Sequence, residues 1–486
     1  MPDVNSSVRF LLGNKPVEIV LNGQSGYLPS TTVLNYLRSL HDHKGVKEGC
    51  AEGDCGACTV VAAIPTSDKT LKYVAVNSCL VFLPWLHGKQ LITVENLSEG
   101  KNLHPVQQWM VEHYGSQCGF CTPGIVMSLF ALYKGNLPAD RSTAISSMSG
   151  NLCRCTGYQP ILDVAMKSLQ ADGEDQFTAK EADVAGYLTS LQSQSLLLKS
   201  SLQSYHKPGN LNEALAQRKN HPSALLSTGA TDLALRQSKK FELLPEILDL
   251  SGLQELNCCT EEENCWKIGA GTPINDVWSR LGKSIPVLNE VFSVFASHQI
   301  RNLATIAGNI GSASPIGDLI PVFISLEAGI ILKSSSGERE MPVEDFITGY
   351  RTTELKPDEI IHSFRIPKSV VQHTIRFFKV SKRRELDIST VSMAARLEFN
   401  SNGSIDRAIL AFGGMAAKTS RANSAETYLT GKQWNPETSE EAARLVAEEF
   451  NPISDARSGK EARKIMAGNL LRKLFVETTS NIRQDA

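Results

Sequence analysis

Residues 46–58 read Val-Lys-Glu-Gly-Cys-Ala-Glu-Gly-Asp-Cys-Gly-Ala-Cys, and the next cysteine stands at position 79. The spacing Cys-x4-Cys-x2-Cys followed by a distant cysteine is that of a plant-type [2Fe–2S] centre. A structural zinc site usually takes two Cys-x2-Cys pairs, so it fits this spacing poorly. The expected iron ligands are Cys50, Cys55, Cys58 and Cys79. We expect Gly49, Gly53 and Gly56 to turn the backbone with positive φ and to direct amide N–H groups at the sulfurs.

The residues around this stretch predict a small β-rich domain over 1–96. Apolar residues alternate over 8–12 and again over 17–21, and Gly13-Asn14-Lys15 between them predicts a hairpin turn. Further strands are expected at Thr59–Ile64 and Lys72–Val76. A short helix is expected around Val33–Leu40, and 91–94 is expected to close the sheet.

A second group of four cysteines follows, in Cys118-Gly-Phe-Cys121 and Cys153-Arg-Cys155. From spacing alone this group is ambiguous between zinc and iron–sulfur. Both pairs precede a helical apolar pattern, and the positive end of a helix favours an anionic cluster and lowers a thiol pKa. Pro123 is typical of a helix start. We therefore predict a helical domain over 97–172 that carries this cysteine group and binds a metal centre with it.

The rest of the chain changes character twice. Residues 173–204 are polar and lack a sustained apolar period, which predicts a linker. Strands and helices are expected to alternate over 205–370. A last α+β domain is expected over 371–486, with strands near 374–380, 391–399 and 405–412 and a final helix near 459–476.

Composition excludes several classes of function. The chain has 486 residues, 42% of them hydrophobic, and a formal net charge of −2, which argues against a nucleic-acid-binding protein. The longest nearly uncharged apolar stretch, Leu319–Leu332, is too short for a membrane span. The N-terminus lacks a signal-peptide pattern, so we expect a cytoplasmic protein. The remaining cysteines, Cys258, Cys259 and Cys265, are expected to be inert. The histidines show no paired ligand spacing, and His43, His104 and His298 are expected to be surface or capped residues and not metal ligands.

Two loops rich in glycine and small residues are candidates for binding a phosphate. They are Leu226–Leu233 and Ala304–Gly311, the second followed by Ser314-Pro-Ile-Gly-Asp318. Exposed backbone N–H groups in such loops can bind a pyrophosphate. Neither loop is a G-x-G-x-x-G motif, so a Rossmann site is not supported, and by spacing alone each such loop is more often an ordinary turn.

Three motifs, at 46–58, 117–124 and 150–158, closely resemble those of the molybdenum hydroxylases, which include xanthine dehydrogenases, aldehyde oxidases and carbon monoxide dehydrogenases. The resemblance implies that the second cysteine group also holds a [2Fe–2S] cluster. It implies a multidomain α+β fold: a β-grasp ferredoxin-like domain, a helical cluster domain, an FAD domain of the vanillyl-alcohol-oxidase type and an α+β C-terminal domain. The implied iron ligands are Cys50, Cys55, Cys58, Cys79, Cys118, Cys121, Cys153 and Cys155.

The same resemblance, carried over by position, implies the residues that contact the flavin. Ile361 stands where vertebrate members commonly have leucine, and Leu386 interrupts a run that is more acidic in those members. The implied FAD-binding residues are Leu226, Ser227, Thr228, Gly229, Ala230, Thr231, Asp232, Leu233, Phe295, Thr305, Ile306, Ala307, Gly308, Asn309, Asp318, Ile361 and Lys379.

The implied activity is that of the electron-transfer small subunit of a xanthine dehydrogenase. Electrons from purine hydroxylation would pass through two [2Fe–2S] clusters to FAD and then to NAD. The molybdenum cofactor would lie on a separate large subunit, in a dimer of heterodimers. Two alternatives stay open: the equivalent subunit of an aldehyde or N-heterocycle hydroxylase, and a non-catalytic scaffold held together by zinc.

Overall fold

The computed structural model describes residues 6–22, 25–192 and 195–482. The chain forms two compact units, each built from two stretches of sequence. The first consists of Met1–Leu253 with Ala296–Ala304, and the second of Gln254–Phe295 with Thr305–Ala486. The flavin-binding region predicted over 205–370 is therefore divided between the two units.

A five-stranded mixed sheet with one helix begins the first unit. Its elements are β1 (Ser7–Leu12), β2 (Lys15–Val20), α1 (Val33–Ser39), β3 (Thr59–Pro65), β4 (Leu71–Asn77) and β5 (Gln90–Ile92). The strand order is β2-β1-β5-β3-β4, with β1 and β5 parallel and the other neighbours antiparallel. The predicted hairpin is confirmed, because Val8 pairs with Ile19 and Phe10 with Val17. This is the β-grasp arrangement expected for the first domain.

Four helices form the next part of the first unit. They are α2 (Pro105–Glu112), α3 (Thr122–Lys134), α4 (Arg141–Met148) and α5 (Gln159–Gln170). Helix α3 is buried along most of its length, and Leu129 and Phe130 are fully buried. It packs against α5 on one side and against β3 on the other. Both predicted helix starts are confirmed, with Pro123 in the first turn of α3 and Pro160 in that of α5.

The segment 173–204, predicted as a linker, is largely structured, so that prediction is wrong for most of its length. It contains a 3₁₀ turn (Thr178–Lys180), helix α6 (Glu181–Gln192) and strand β6 (Leu196–Lys199). Ala185 and Leu188 of α6 are fully buried in the core that α3 and α5 also line. These apolar residues lie three apart and bury one face of a helix that is otherwise polar, which is too short a pattern to stand out in the sequence.

A four-stranded sheet completes the first unit. With β6, its elements are β7 (Ser204–Lys207), α7 (Leu211–Asn220), β8 (Leu225–Ser227), α8 (Leu233–Ser238) and β9 (Glu246–Asp249); α11 (His298–Arg301) belongs to the same unit. The strand order is β6-β7-β9-β8, and β9 runs parallel to both of its neighbours. The carboxyl ends of β8 and β9 therefore lie side by side at one edge, where the loop after β8 begins.

A five-stranded sheet and short helices open the second unit. The elements are β10 (Cys259–Glu261), β11 (Cys265–Gly269), α9 (Ile274–Leu281), α10 (Pro286–Val294), α12 (Ile306–Gly311), α13 (Leu319–Ser325), β12 (Gly329–Ser334), β13 (Gly337–Pro342), α14 (Val343–Phe346), β14 (Ile347–Gly349), β15 (Thr352–Thr353), β16 (Ile360–Pro367) and α15 (Lys368–Val371). The sheet order is β10-β11-β16-β12-β13, and β14 pairs with β15 separately. Helix α13 is buried at every position.

An antiparallel sheet backed by helices ends the second unit. Its elements are β17 (Thr374–Val380), β18 (Val391–Phe399), β19 (Ile405–Gly413), β20 (Ser420–Arg421), α16 (Asn423–Leu429), α17 (Pro436–Glu449) and α18 (Lys460–Ile482). The strand order is β17-β18-β19-β20. The three strands predicted here are confirmed within a residue, and the final helix is longer than predicted. Among the described residues, no helix combines the length and apolar character that a membrane crossing requires.

Candidate functional site: two cysteine clusters and flavin-binding loops

The first cysteine group comes together between α1 and the edge of the β-grasp sheet. Cys50, Cys55 and Cys58 precede β3, and Cys79 lies in a 3₁₀ turn after β4. The Sγ atoms of Cys58 and Cys79 are 3.4 Å apart, and both residues are buried. Cys50 and Cys55 also interact through their thiols and are half-buried. The four predicted ligands thus converge, two by two, as a [2Fe–2S] cluster requires.

The backbone of the first cysteine loop is shaped by two of the three predicted glycines. Gly53 and Gly56 have φ of 80° and 69°, as predicted. Gly49 does not adopt positive φ, so that part of the prediction is wrong; Ala51 takes a φ of 54° instead. Gly49 is required for space, because a Cβ there would lie 2.9 Å from the Sγ atom of Cys55.

Backbone amides point at a sulfur of the first group. The N–H groups of Glu52 and Asp54 donate to the Sγ atom of Cys50 over 3.4 and 3.3 Å. Together with a hydrogen bond from the thiol of Cys55, which is the largest effect, they lower the pKa of Cys50 to about 6 despite its burial. A thiolate is the ligand form of cysteine, so the loop is already arranged for a negatively charged metal centre.

The second cysteine group lies where α3 and α5 begin. Cys121 is the residue before α3, and Cys155 lies four residues before α5. The thiols interact in the pairs Cys118 with Cys155 and Cys121 with Cys153. Cys118 and Cys155 are exposed, whereas Cys153 is buried. The four predicted ligands converge here too, with one pair facing outward.

Hydrogen bonds favour the thiolate at two of the four cysteines of the second group, Cys118 and Cys153. Burial raises the pKa of Cys121 to about 12, and the thiol of Cys118 raises that of Cys155. The backbone N–H of Phe120, and then the thiol of Cys155, lower the pKa of Cys118. Burial raises the pKa of Cys153, but the hydroxyl of Thr156, 3.2 Å from its Sγ atom, and nearby backbone amides bring it below its usual value. The donor set fits an anionic cluster at this position as well.

The two cysteine loops are hydrogen-bonded to each other. The backbone N–H of Leu152, next to Cys153, donates to the carbonyl oxygen of Cys55 over 3.0 Å. The side-chain amide of Asn151 donates to the carbonyl oxygen of Gly56 over 3.1 Å. A ligand of the first group is therefore joined to a ligand of the second through one backbone hydrogen bond.

Three glycines make this close approach possible. A Cβ at Gly56 would lie 2.2 Å from the carbonyl oxygen of Gly150, and a Cβ at Gly124 would lie 2.2 Å from that of Gly56. Such distances are not tolerated between atoms that are not bonded to each other, so neither Gly56 nor Gly124 accepts a side chain without displacing backbone. At Gly150 a Cβ would instead lie 2.1 Å from the side-chain oxygen of Gln299. The β-grasp and helical parts of the unit are thus in direct backbone contact at the two cysteine loops.

A buried ion cluster supports the helical part around the second cysteine group. The Nε2 atom of His104, the N-cap of α2, lies 3.1 Å from a carboxylate oxygen of Asp175. The Nζ atom of Lys134, at the end of α3, lies 3.0 Å from the other oxygen. Burial raises the pKa of Asp175, but hydrogen bonds from His104, the Thr178 amide and Lys134 lower it to about 2. His104 is not at the surface: it is buried, and its Nδ1 atom caps α2 by accepting a hydrogen bond of 3.2 Å from the N–H of Val106.

The first predicted flavin loop joins a strand to a helix in the first unit. Strand β8 ends at Ser227 and α8 begins at Leu233. Ala230 in between has a φ of 58°. A Cβ at Gly229 would lie 1.9 Å from the carbonyl oxygen of Leu303, so glycine is required here by the packing of the chain itself. A small cavity lies against this loop, lined by Ser227, Thr228, Gly229, Ala230, Asp249 and Ser251, among others.

The second predicted flavin stretch lies in the other unit and is not a loop. Thr305 is an N-cap, and its side-chain oxygen accepts a hydrogen bond of 3.0 Å from the N–H of Gly308. Residues 306–311 form α12. The sequence signal for this was present, because threonine three residues before the bonded amide is a common helix start.

Three further predicted flavin contacts are brought together in the second unit. The Nζ atom of Lys379 lies 2.8 Å from a carboxylate oxygen of Asp318, and both side chains are almost fully buried. The same Nζ donates over 3.0 Å to the carbonyl of Val294, the residue before Phe295. Ile361, in β16, is buried. A buried lysine held by a carboxylate and a carbonyl is positioned to meet a polar ligand.

The three remaining cysteines are not gathered into a further group. Burial raises the pKa of Cys259 to about 11, which keeps that thiol protonated. Burial also raises the pKa of Cys265, whose thiol donates to Glu262. Protonated thiols are poor nucleophiles and poor metal ligands. Sequence reasoning did miss one cluster of potential ligands, formed by two histidines and a glutamate in the first unit, which is described below.

Three family models match consecutive parts of the chain. Residues 93–166 match a [2Fe-2S] binding domain, residues 198–369 the FAD binding domain in molybdopterin dehydrogenase, and residues 376–478 the CO dehydrogenase flavoprotein C-terminal domain. The chain therefore carries both an iron–sulfur and an FAD-binding domain. The order of the matches is the order of domains expected from the motifs.

Relatives and solved structures agree with these matches. The chain is 33% identical to a xanthine dehydrogenase of Emericella nidulans, over 92% of this chain and 37% of that protein. It is 31% identical to the xanthine dehydrogenase/oxidase of Gallus gallus, over 98% of this chain and 40% of that protein. The carbon monoxide dehydrogenase of Hydrogenophaga pseudoflava lacking the Mo-pyranopterin moiety superimposes with a TM-score of 0.53 and 28% identity, over 55% of this chain and 94% of that one.

The fold, the two cysteine groups and these matches define the class of protein: the chain belongs to the molybdenum hydroxylase family. Within that family its matching relatives are xanthine dehydrogenases, and the chain spans about two fifths of their length. The part it spans is the iron–sulfur and flavin part.

Proposed function

We propose that this chain is the electron-transfer subunit of a xanthine dehydrogenase. It would pass electrons from purine hydroxylation on a molybdenum-bearing partner through two [2Fe–2S] clusters to FAD, and from there to NAD. The observation that carries the proposal is the hydrogen bond between Leu152 and Cys55, which joins the two cysteine groups and gives electrons a short route between them. The xanthine dehydrogenase relatives support the purine substrate.

The eight cysteines would hold the clusters in two sets of four. Bound clusters accept and release single electrons, and their potentials depend on hydrogen bonds to the sulfurs and on exposure. In this chain the amides of Glu52 and Asp54 serve the first set, and the amide of Phe120 and the hydroxyl of Thr156 serve the second. The two sets therefore have different donors and different solvent contact, which predicts two distinct potentials.

FAD would be held by residues of three kinds. They are two stretches rich in small residues, at a loop and a helix start, a buried pair of polar side chains, and two apolar side chains. Bound FAD takes up two electrons and exchanges a hydride with NAD. The proposed residues are Leu226–Leu233, Phe295, Thr305–Asn309, Asp318, Ile361 and Lys379. Of these, Lys379 and Asp318 supply the strongest polar contact that the structure shows, since each neutralises the other away from water.

Electrons would enter at the second cysteine group, where a partner can reach it. Cys118 and Cys155 are exposed. Exposed apolar side chains lie in the same two segments, at Tyr114, Phe120 and Leu152. Apolar side chains of this kind at a surface are typical of a protein interface. We propose this face as the contact with the large molybdenum subunit, within a dimer of heterodimers in the cytoplasm.

The division of labour between the chains can be tested with the purified subunit. The chain alone should oxidise NADH with an artificial dye and should not turn over xanthine. Adding the large subunit should produce xanthine-dependent reduction of NAD. Cys118→Ser should abolish that reduction and leave the NADH–dye activity. Turnover of xanthine by the small chain without partner and molybdenum would contradict the proposal. If the complex of both subunits turned over only aldehydes or other N-heterocycles, the proposed purine substrate would be wrong.

The placement of FAD can be tested separately by flavin content. Lys379→Met should remove a buried polar contact and lower bound FAD to less than about one tenth, because an unpaired Asp318 carboxylate would remain buried. Lys382→Met, at an exposed position of the same segment, is the matched control and should keep its flavin. Full flavin in folded Lys379→Met protein would show that FAD lies elsewhere.

A further inference from the structure

Two histidines and a glutamate meet at one end of the four-stranded sheet in the first unit. His206 lies on β7 and Glu246 on β9, which are parallel neighbours in which Ser204 pairs with Glu246 and His206 with Leu248. His221 is the residue that ends α7. Three elements that are separate in sequence thus bring these side chains to one place, which no spacing in the sequence indicates.

The geometry of the three side chains is close to that of a metal site. The Nδ1 atom of His221 lies 2.7 Å from Oε1 of Glu246, and the Nε2 atom of His206 lies 3.5 Å from the same oxygen. One ligand atom from each residue lies within 4.8 Å of the others. Ligand atoms around a tetrahedral zinc ion are about 3.4 Å apart, given bonds of about 2.1 Å. Small rotations of these side chains would bring their ligand atoms from within 4.8 Å of one another to the spacing around a zinc ion.

One ring nitrogen in this cluster, Nε2 of His206, is buried without a hydrogen-bond partner among the described residues. The residue as a whole is 5% exposed. The carboxylate 3.5 Å away does not satisfy this nitrogen. A buried polar atom without a hydrogen-bond partner is unfavourable, so such atoms are rare unless a bound water or ligand completes them. A coordination bond would supply the missing partner.

The surroundings favour a neutral imidazole and a fixed carboxylate. His206 is buried, and burial disfavours the charged form of its ring, so its pKa lies below the usual value. Neutral imidazole is the form that binds a metal. The hydroxyl of Ser204 donates to Oε1 of Glu246 over 3.3 Å and so orients the carboxylate. Support of this kind from a second residue is usual around metal ligands.

We propose that His206, His221 and Glu246 bind a zinc ion, with water in the remaining position. Two imidazoles and one carboxylate form a ligand set that zinc accepts, and the partial exposure of His221 and Glu246 leaves room for the water. The bound ion would tie the end of α7 to β7 and β9. Because β8 pairs with β9, it would also stiffen the sheet from which the 226–233 loop extends.

The test uses the complete chain with its clusters and flavin, dialysed against zinc chloride and then against metal-free buffer. The wild type should retain about one zinc ion per chain with its iron content unchanged. His221→Ala and Glu246→Gln should each weaken zinc binding roughly 100-fold or more, and both positions are exposed enough for folding to survive. His373→Ala is the matched control, because His373 faces a single glutamate, Glu398, over 3.7 Å.

Thermal unfolding gives an independent measurement on the same proteins. Zinc should raise the melting temperature of the wild type and of His373→Ala, and should leave that of His221→Ala unchanged. Equal zinc retention by the wild type and His221→Ala would mean adventitious binding and would overturn the proposal. Zinc uptake accompanied by an equal loss of iron would also overturn it, because the ion would then lie at the cysteines.

Discussion

The two cysteine groups have the same ligands and opposite surroundings. In the first, Cys58 and Cys79 are 2% and 1% exposed and belong to the core of the β-grasp domain. In the second, Cys118 and Cys155 are exposed, and the group lies at the starts of two helices. A metal centre in the first position would have two ligands, Cys58 and Cys79, in the core, whereas one in the second would have one, Cys153, in the core of the helical part and two at the surface.

The different exposure of the two groups suits two different tasks: exchange of electrons with another protein, and maintenance of a defined potential. An exposed centre can exchange electrons with another protein, but water screens and shifts its potential. A buried centre keeps a defined potential but is out of reach of a partner. With the two groups joined through Leu152 and Cys55, the chain has both properties along one route.

The largest expected effect comes from removing a buried ligand. Cys58→Ser should lose half of the iron and destabilise the chain by roughly 3–5 kcal/mol, because a hydroxyl and an incomplete metal site would remain in the core. Cys118→Ser should lose the same amount of iron with a cost below about 1 kcal/mol, because its side chain is exposed. Iron analysis and denaturant unfolding measure both. Equal stability losses would remove the distinction between the groups.

The contact between the two loops is tested by a pair of glycine substitutions. Gly56→Ala should cost about 3–4 kcal/mol, from left-handed backbone strain and from a Cβ forced against the carbonyl of Gly150. Gly119→Ala has a similar φ of 81° but nothing within 4 Å of its added Cβ, so it should cost only about 1–2 kcal/mol. Chemical denaturation of the two variants measures the difference. A smaller loss for Gly56→Ala would mean that the loops do not touch.

The stability of the helical part of the first unit should depend on pH. Since the folded pKa of Asp175 is about 2, below its unfolded value, its carboxylate stabilises the fold above about pH 4, and this stabilisation is lost as the pH falls from about 4 to 2. Asp175→Asn should cost about 2–3 kcal/mol at pH 7, and the cost should shrink over that range. Asp172→Asn, exposed in the same segment, should change little. Acid unfolding followed by circular dichroism distinguishes them, and a pH-independent difference would contradict the assignment.

The smallest expected effect concerns a single hydrogen bond to sulfur. Thr156→Val should remove the donor to Cys153 and make the potential of the second centre more negative, with a stability cost of about 1 kcal/mol. The first centre is the internal control, since its donors are the amides at 52 and 54. Potentiometric titration followed by electron paramagnetic resonance resolves the two centres. A shift in both would show that they are electrically coupled.

Much of this architecture could be predicted because the signals are local. The spacing at 50–58 and the Cys121-Thr-Pro helix start carry their chemistry within a few residues, and both predictions hold in the geometry. The hairpin over 7–20 and the strands over 374–413 follow from alternation that buries one face. Local patterns of this kind do not depend on what the rest of the chain does.

The features that escaped prediction depend on contacts distant in sequence. At Gly49 a side chain is disfavoured because its Cβ would lie 2.9 Å from the Sγ atom of Cys55, and not because the backbone φ there is positive. Helix α6 was missed because its buried face is completed by a core built from other elements. The cluster of His206, His221 and Glu246 arises from the pairing of β7 with β9, which no spacing in the sequence encodes.

The contact of Gly56 with Gly150 and Gly124 also bears on how the two cysteine domains can vary in evolution and in engineering. A change in backbone path on one side is transmitted to the other, because at Gly56 and Gly124 the two backbones touch directly. Exchange of either domain alone for that of a relative would leave mismatched surfaces at the point where the cysteine loops meet. The two domains therefore form one exchangeable module, and chimeras should be joined outside residues 6–170, never between them.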